Sequence, residues 1–126
     1  MKHWVLQKKK IDLGLTYKAI KISSGNSFVN ETETKVIRGG SYDVGFTMDL
    51  VNKDINLFNK LGKNIKLELG NYLSKKFKLG MKILGERSFS TSIIKLIEKD
   101  AKIKLRAKNF PKQLIDKQKK QKGVEV

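Results

Sequence analysis

Near one end of the chain six residues, Ile103-Lys104-Leu105-Arg106-Ala107-Lys108, alternate apolar and cationic side chains without a break. A period of two belongs to an extended backbone, whose successive side chains point to opposite sides. The segment therefore predicts a half-buried strand with Lys104, Arg106 and Lys108 on one outer face. Asn109-Phe110-Pro111 then predicts a helix start, because proline near the first helical position has a suitable φ and forfeits no helical hydrogen bond. Leu114, Ile115 and Gln118 recur at helical spacing, Gly123 fits the stop, and Val124-Glu125-Val126 predicts a returning edge strand. Strand, helix and strand in succession make an α/β unit.

The same logic applies upstream. Ile11, Leu13, Leu15 and Tyr17 are apolar at every second position, which predicts a strand within residues 11–22. Ser23-Ser24-Gly25-Asn26-Ser27 has the chemistry of a loop. Residues 32–37 predict a second short strand, ended at Arg38-Gly39-Gly40-Ser41, where paired glycines let the backbone bend or approach another backbone closely. Residues 55–57 predict a strand, and Leu57, Phe58 and Leu61 a helical turn stopped by Gly62. A helix is predicted over residues 67–76 and an end at Gly80, with a strand over 81–85. Ser90 or Thr91 would cap a helix whose stripe is Ile93, Ile94, Leu96 and Ile97.

Charge bears on what such a unit is for. Lys and Arg number 28 against 12 Asp and Glu, a net charge of +16 on 126 residues. Self-repulsion of that size destabilises a free compact chain and points to a polyanionic partner. The length suits one domain, and a hydrophobic fraction of 39% supports a modest core. With no cysteine, disulfides, thiolate metal sites and cysteine nucleophiles are excluded, and the one histidine, His3, is terminal. No apolar run approaches the roughly 18 residues of a membrane span. The basic start, Met1 to Lys10, lacks both a signal core and a transit-peptide pattern. Lysine dominates over arginine, with Ile and Asn abundant, which suggests an AT-rich genome. The carboxylates are scattered and join no nucleophile, base or metal motif; Glu31-Thr32-Glu33 reads as a solvated turn. Gly39-Gly40 and the stretch 80–85 have neither Walker nor dinucleotide-loop spacing.

The strings Lys82-Ile83-Leu84-Gly85, Ile103-Lys104-Leu105-Arg106-Ala107-Lys108, Phe110, Ile115-Asp116-Lys117 and Gly123-Val124-Glu125-Val126 resemble, in order, the universal large-subunit ribosomal protein fifteen family of bacterial type. Gly45-Phe46-Thr47 followed by Ile55-Asn56-Leu57 is similar to that family's upstream turn and strand. Arg87 and Lys122 stand where the family has glycine, and residues 86–101 would be an insertion. The resemblance implies a small single α/β domain of short strands and helices over residues 45–126, behind a divergent basic segment, residues 1–44. It implies a non-enzymatic structural constituent of the large ribosomal subunit, in a mitochondrial or other organellar ribosome or the cytoplasmic ribosome of an AT-rich bacterium. Its partners would be large-subunit rRNA and neighbouring ribosomal proteins, with no cofactor, metal, small-molecule substrate or membrane span.

RNA phosphates would be met by Lys8, Lys9, Lys10, Arg38, Lys75, Lys76, Lys78, Lys82, Arg87, Lys102, Lys104, Arg106, Lys108 and Lys112, with Lys117, Lys119, Lys120 and Lys122 on the last helix. Trp4, Phe28, Phe46, Tyr72, Phe89 and Phe110 are candidates for base stacking, with core packing favoured for Phe46 and Phe110. The alternative function is a small histone-like architectural DNA-binding protein, which would dimerise through a basic β-ribbon. A third is an interaction module of a phage or cytoskeletal assembly whose lysines only solvate the surface.

Overall fold

The computed structural model describes residues 11–114, and helix accounts for 61% of them. Six α-helices follow one another: α1 (Leu13–Lys21), α2 (Phe28–Glu31), α3 (Glu33–Gly39), α4 (Met48–Leu61), α5 (Glu68–Leu84) and α6 (Ile94–Ala101). A 3-10 turn, Ser90–Ile93, leads into α6. Among the described residues the one β-type pairing is an isolated antiparallel bridge between Thr47 and Phe89. The expected α/β domain of short strands and helices is therefore corrected to a helical one. No described helix is long and apolar enough to cross a membrane.

The strand expected in residues 11–22 is α1, and a cap decides it. Leu13 and Tyr17, the buried pair, share a face at four-residue spacing in a helix just as they would in a strand. The Asp12 carboxylate breaks the tie by accepting a hydrogen bond from the Leu15 N–H at 2.7 Å, and Lys18 and Lys21 lie in the last turn, beside the negative end of the helix dipole. Asp12→Ala is expected to destabilise the fold by about 1 kcal/mol, read from the midpoint of urea unfolding. Ser27 caps α2 in the same way through the Asn30 N–H. The strand expected at 32–37 is α3. It ends at Gly40 in the left-handed region, φ 91°, and a side chain on Gly39 would collide with the Pro111 carbonyl. Both roles suggested by the paired glycines, bend and close approach, are thus present.

α4 and α5 form an antiparallel hairpin that absorbs the strands expected at 55–57 and 81–85. Its seam is small and polar: Asn59 and Asn56 of α4 face Gly70 and Ser74 of α5, with the Ser74 hydroxyl 3.0 Å from Asn56 Oδ1. Gly70 sits so close to Asn59 that a Cβ there would fall 2.2 Å from its Oδ1. Gly80, expected to end the helix, lies buried within α5 against Met48 and Ile93. Large apolar residues point outward instead, among them Phe58, Leu61, Leu69 and Tyr72. At its start α4 is closed by the chain itself, since Met48 N–H and Asp49 N–H donate to the Ser88 and Glu86 carbonyls.

The alternating segment is extended but joins no sheet. Its backbone finds partners outside any sheet: Leu105 N–H donates to the Glu98 carboxylate and Ala107 N–H to the Arg38 carbonyl. Leu105 is buried and Lys104 and Lys108 are exposed, as the period demands, but Arg106 folds back over Tyr42 and so leaves the common cationic face. The segment also packs against residues from the first third of the chain, with Phe110 meeting Tyr17 edge to face at 5.2 Å. The helix expected after Pro111 and the closing edge strand fall mainly on residues 115–126, outside the described residues.

Candidate functional site

A cavity of about 500 Å³ opens between α3, α4, α5 and α6. Its walls are apolar, from Val29, Ile37, Val51, Phe77, Ile93, Ile94, Ile97 and Leu105, and its polar groups are Glu33, Thr34, Arg38, Ser90 and Thr91. An apolar recess of this size with a few convergent polar groups is the ordinary form of a small-molecule site. Each polar group is placed by the fold. Glu33 and Thr34 stand in the first turn of α3, and Ser90 and Thr91 in the 3-10 turn, where the Thr91 hydroxyl donates to the Tyr42 carbonyl. Burial pushes the Glu33 carboxyl above the usual carboxylate range, and it forms no ion pair among the described residues.

Arg38 is only 2% exposed. Its guanidinium lies 5.4 Å from the Tyr17 ring and 5.3 Å from the Phe110 ring and donates to the Leu13 carbonyl. Burial lowers its pKa to about 10, which still leaves it cationic at neutral pH. Its charge is held by rings and a carbonyl, and it ties α1 and the 110 region to α3.

The far wall is held by a second buried charge. Glu98, 2% exposed, accepts from Leu105 N–H at 2.7 Å, from Arg106 Nη1 at 3.1 Å and from the Tyr42 hydroxyl at 2.5 Å. Arg106 Nη2 donates to the Tyr42 hydroxyl at 2.7 Å and Nη1 to the Ile37 carbonyl at 3.0 Å. Desolvation, then the Glu98 contact, pushes the Tyr42 phenol upward, so it stays a donor at neutral pH. This cluster fixes Ile37 and Leu105, two walls of the cavity.

The remaining expected contact residues are dispersed. Lys75, Lys76, Lys78 and Lys82 run along the exposed side of α5, with Lys76 5.4 Å from the Tyr72 ring centre. Arg87 pairs with Asp49 at 3.0 Å. Lys102 and Lys104 line a shallow depression beside α6, while Lys108 lies beside Phe110 and Lys112 is exposed. Lys8, Lys9, Lys10, Lys117, Lys119, Lys120 and Lys122 lie outside the described residues. Glu33, Tyr42 and Glu98 escaped the sequence reading. For Glu98 a signal existed, because a carboxylate on the same helical face as Ile94, Ile97 and Ala101 must find partners once buried. No cluster able to hold a metal ion occurs among the described residues.

Residues 4–97 match the family described as NAD-binding of NADP-dependent 3-hydroxyisobutyrate dehydrogenase. The chain belongs to this family. No curated protein matches it.

The match overturns the ribosomal resemblance and what followed from it. The role in translation, the rRNA and ribosomal-protein partners, the ribosomal or organellar location and the histone-like alternative all fall with it. So do the non-enzymatic reading and the exclusion of a small-molecule substrate, since the family description is that of an oxidoreductase. The physical cause is visible in the fold. Lys82-Ile83-Leu84-Gly85 is the last turn of α5 and Ile55-Asn56-Leu57 the middle of α4, so strings read as strands were pieces of helix.

Proposed function

We propose that this chain supplies the helical nicotinamide-cofactor-binding part of an NADP-dependent dehydrogenase of the 3-hydroxyisobutyrate type, and that the cavity beside α3 takes the nicotinamide end. The observation that carries this is the family match, which spans every residue named as lining the cavity except Leu105. The donor set agrees with it. A flat heteroaromatic ring would lie among the Phe77, Ile37, Ile93 and Ile94 side chains that line it, and its carboxamide N–H would find an acceptor in Glu33. A diphosphate does not fit there, because the one cation on the wall, Arg38, already meets two rings and a carbonyl.

The cofactor, when bound, supplies hydride transfer. The chain's own share is to orient the ring and exclude water from it, with the Glu98–Arg106–Tyr42 cluster keeping the walls in place.

Ile94→Trp, which fills the cavity without adding charge, is expected to weaken NADP+ and NADPH binding about tenfold or more in calorimetric titration of the full chain, while the thermal midpoint moves little. Unchanged affinity in the filled variant, or no saturable binding by the parent chain, overturns the proposal.

A further inference from the structure

The nicotinamide cavity leaves the basic character of α6 unexplained. Lys95 and Lys99 fall four apart on one stripe of that helix, and Lys102 is the cap residue that follows it. Together with Lys104, Ile103 and the edge of Glu98 they line a shallow depression of about 350 Å³. The carboxylate at its floor does not neutralise them, because Glu98 is engaged with the Leu105 N–H, Arg106 and Tyr42. None of Lys95, Lys99 and Lys102 forms an ion pair among the described residues. Lys95 is also held in place. Lys95 Nζ lies 4.6 Å from the centre of the Tyr42 ring, whose position the Glu98 and Arg106 hydrogen bonds fix.

Lys102 is the second and independent sign. It closes α6 in the left-handed region, φ 53° and ψ 44°, a conformation in which glycine is unstrained and a lysine is not. A strained residue at a helix end that also lines a charged recess is a mark of function. Like charges borne by the residues of one depression repel one another, and a multivalent anion relieves that repulsion.

We infer that the Lys95–Lys99–Lys102 group with Lys104 is a binding site for a phosphate-bearing small molecule, of diphosphate or phosphomonoester class. The site is separate from the nicotinamide cavity: Ile94 and Ile97 face the cavity, and Lys95, Lys99 and Lys102 face away from it across the Glu98 row. The inference stands whether or not the cavity takes a nicotinamide.

The test is calorimetric titration of the full chain at physiological salt with inorganic diphosphate, NAD+ and NADP+ in separate arms. In the Lys99→Gln/Lys102→Gln variant, diphosphate affinity is expected to fall about tenfold or more. A control variant, Lys60→Gln/Lys75→Gln, removes the same charge elsewhere and is expected to change it less than about twofold. Equal loss in both variants, or no saturable diphosphate binding, overturns the site and leaves only diffuse attraction. If NADP+ affinity falls in parallel with diphosphate, the phosphate is the dinucleotide's own. If dinucleotide affinity is unchanged while diphosphate affinity falls, the occupant is a separate phosphorylated molecule, and the site stands. Lys102→Gly adds a readout that a merely structural lysine would not give: the thermal midpoint is expected to rise while diphosphate binding weakens.

Discussion

Replacing Glu98 by alanine is expected to destabilise the protein by about 3 kcal/mol, the low end of what removing one partner of a buried ion pair costs. The low end applies because the Arg106 side chain remains 36% exposed and can rehydrate in part. The rest of the loss is unavoidable. The Leu105 N–H and the Tyr42 hydroxyl, on two buried residues, both lose their acceptor, at about 1 kcal/mol or more each. Glu98→Gln keeps an acceptor for Leu105 N–H and gives up the charge, so it should fall between the parent and the alanine variant. Urea unfolding of the three proteins orders them. Because Glu98 fixes Leu105, the alanine variant should also lose protection of the Leu105 and Ala107 amides to hydrogen exchange before global unfolding. A loss below about 1 kcal/mol with those amides still protected would mean that the segment is held by something other than this carboxylate.

What the sequence revealed and what it hid follow one physical line. Punctuation was legible: the loop at residues 23–27, the helix stop at Gly62 and the paired glycines at 39 and 40 all stand where their residue chemistry put them. The apolar stripe around Ile93, Ile94 and Ile97 also became a helix. Period failed wherever the run was short. Over four or five residues, spacings of two and four coincide, so Leu13 and Tyr17 served a strand or a helix equally, and only the Asp12 cap separated the two.

The hairpin was hidden for a different reason. α4 and α5 place Asn, Gly and Ser at their contact and large apolar residues outside, the reverse of the pattern from which a helical core is normally read. Charge misled in a third way. A net charge of +16 points to phosphate contact at Arg38 and Arg106 among others, yet these two face rings and a carboxylate. The polar groups of the cavity left no local motif, because Glu33, Thr34, Ser90 and Thr91 come from elements more than fifty positions apart.

Gly80 shows how that reversed hairpin is held, and Gly80→Leu is expected to destabilise the protein by about 2 kcal/mol. A leucine at this position gains about 1 kcal/mol in helix propensity over glycine. Against this, even the first carbon of the new side chain would lie 2.5 Å from Ile93 Cδ1 and 3.1 Å from Met48 Sδ, and the full side chain must displace both. Overpacking of that kind costs about 1 to 3 kcal/mol beyond any gain. Met48 is 0% exposed, so Met48→Ala alone opens a void and should cost about 2 to 4 kcal/mol. The two defects are complementary in volume. In the double variant the leucine fills the space that methionine leaves, and the combined loss should be smaller than the sum by about 1 kcal/mol or more, measured as a coupling energy from four unfolding curves. Strict additivity would mean that the leucine does not enter the space methionine leaves, and that Gly80 is not the point at which α5 crosses Met48.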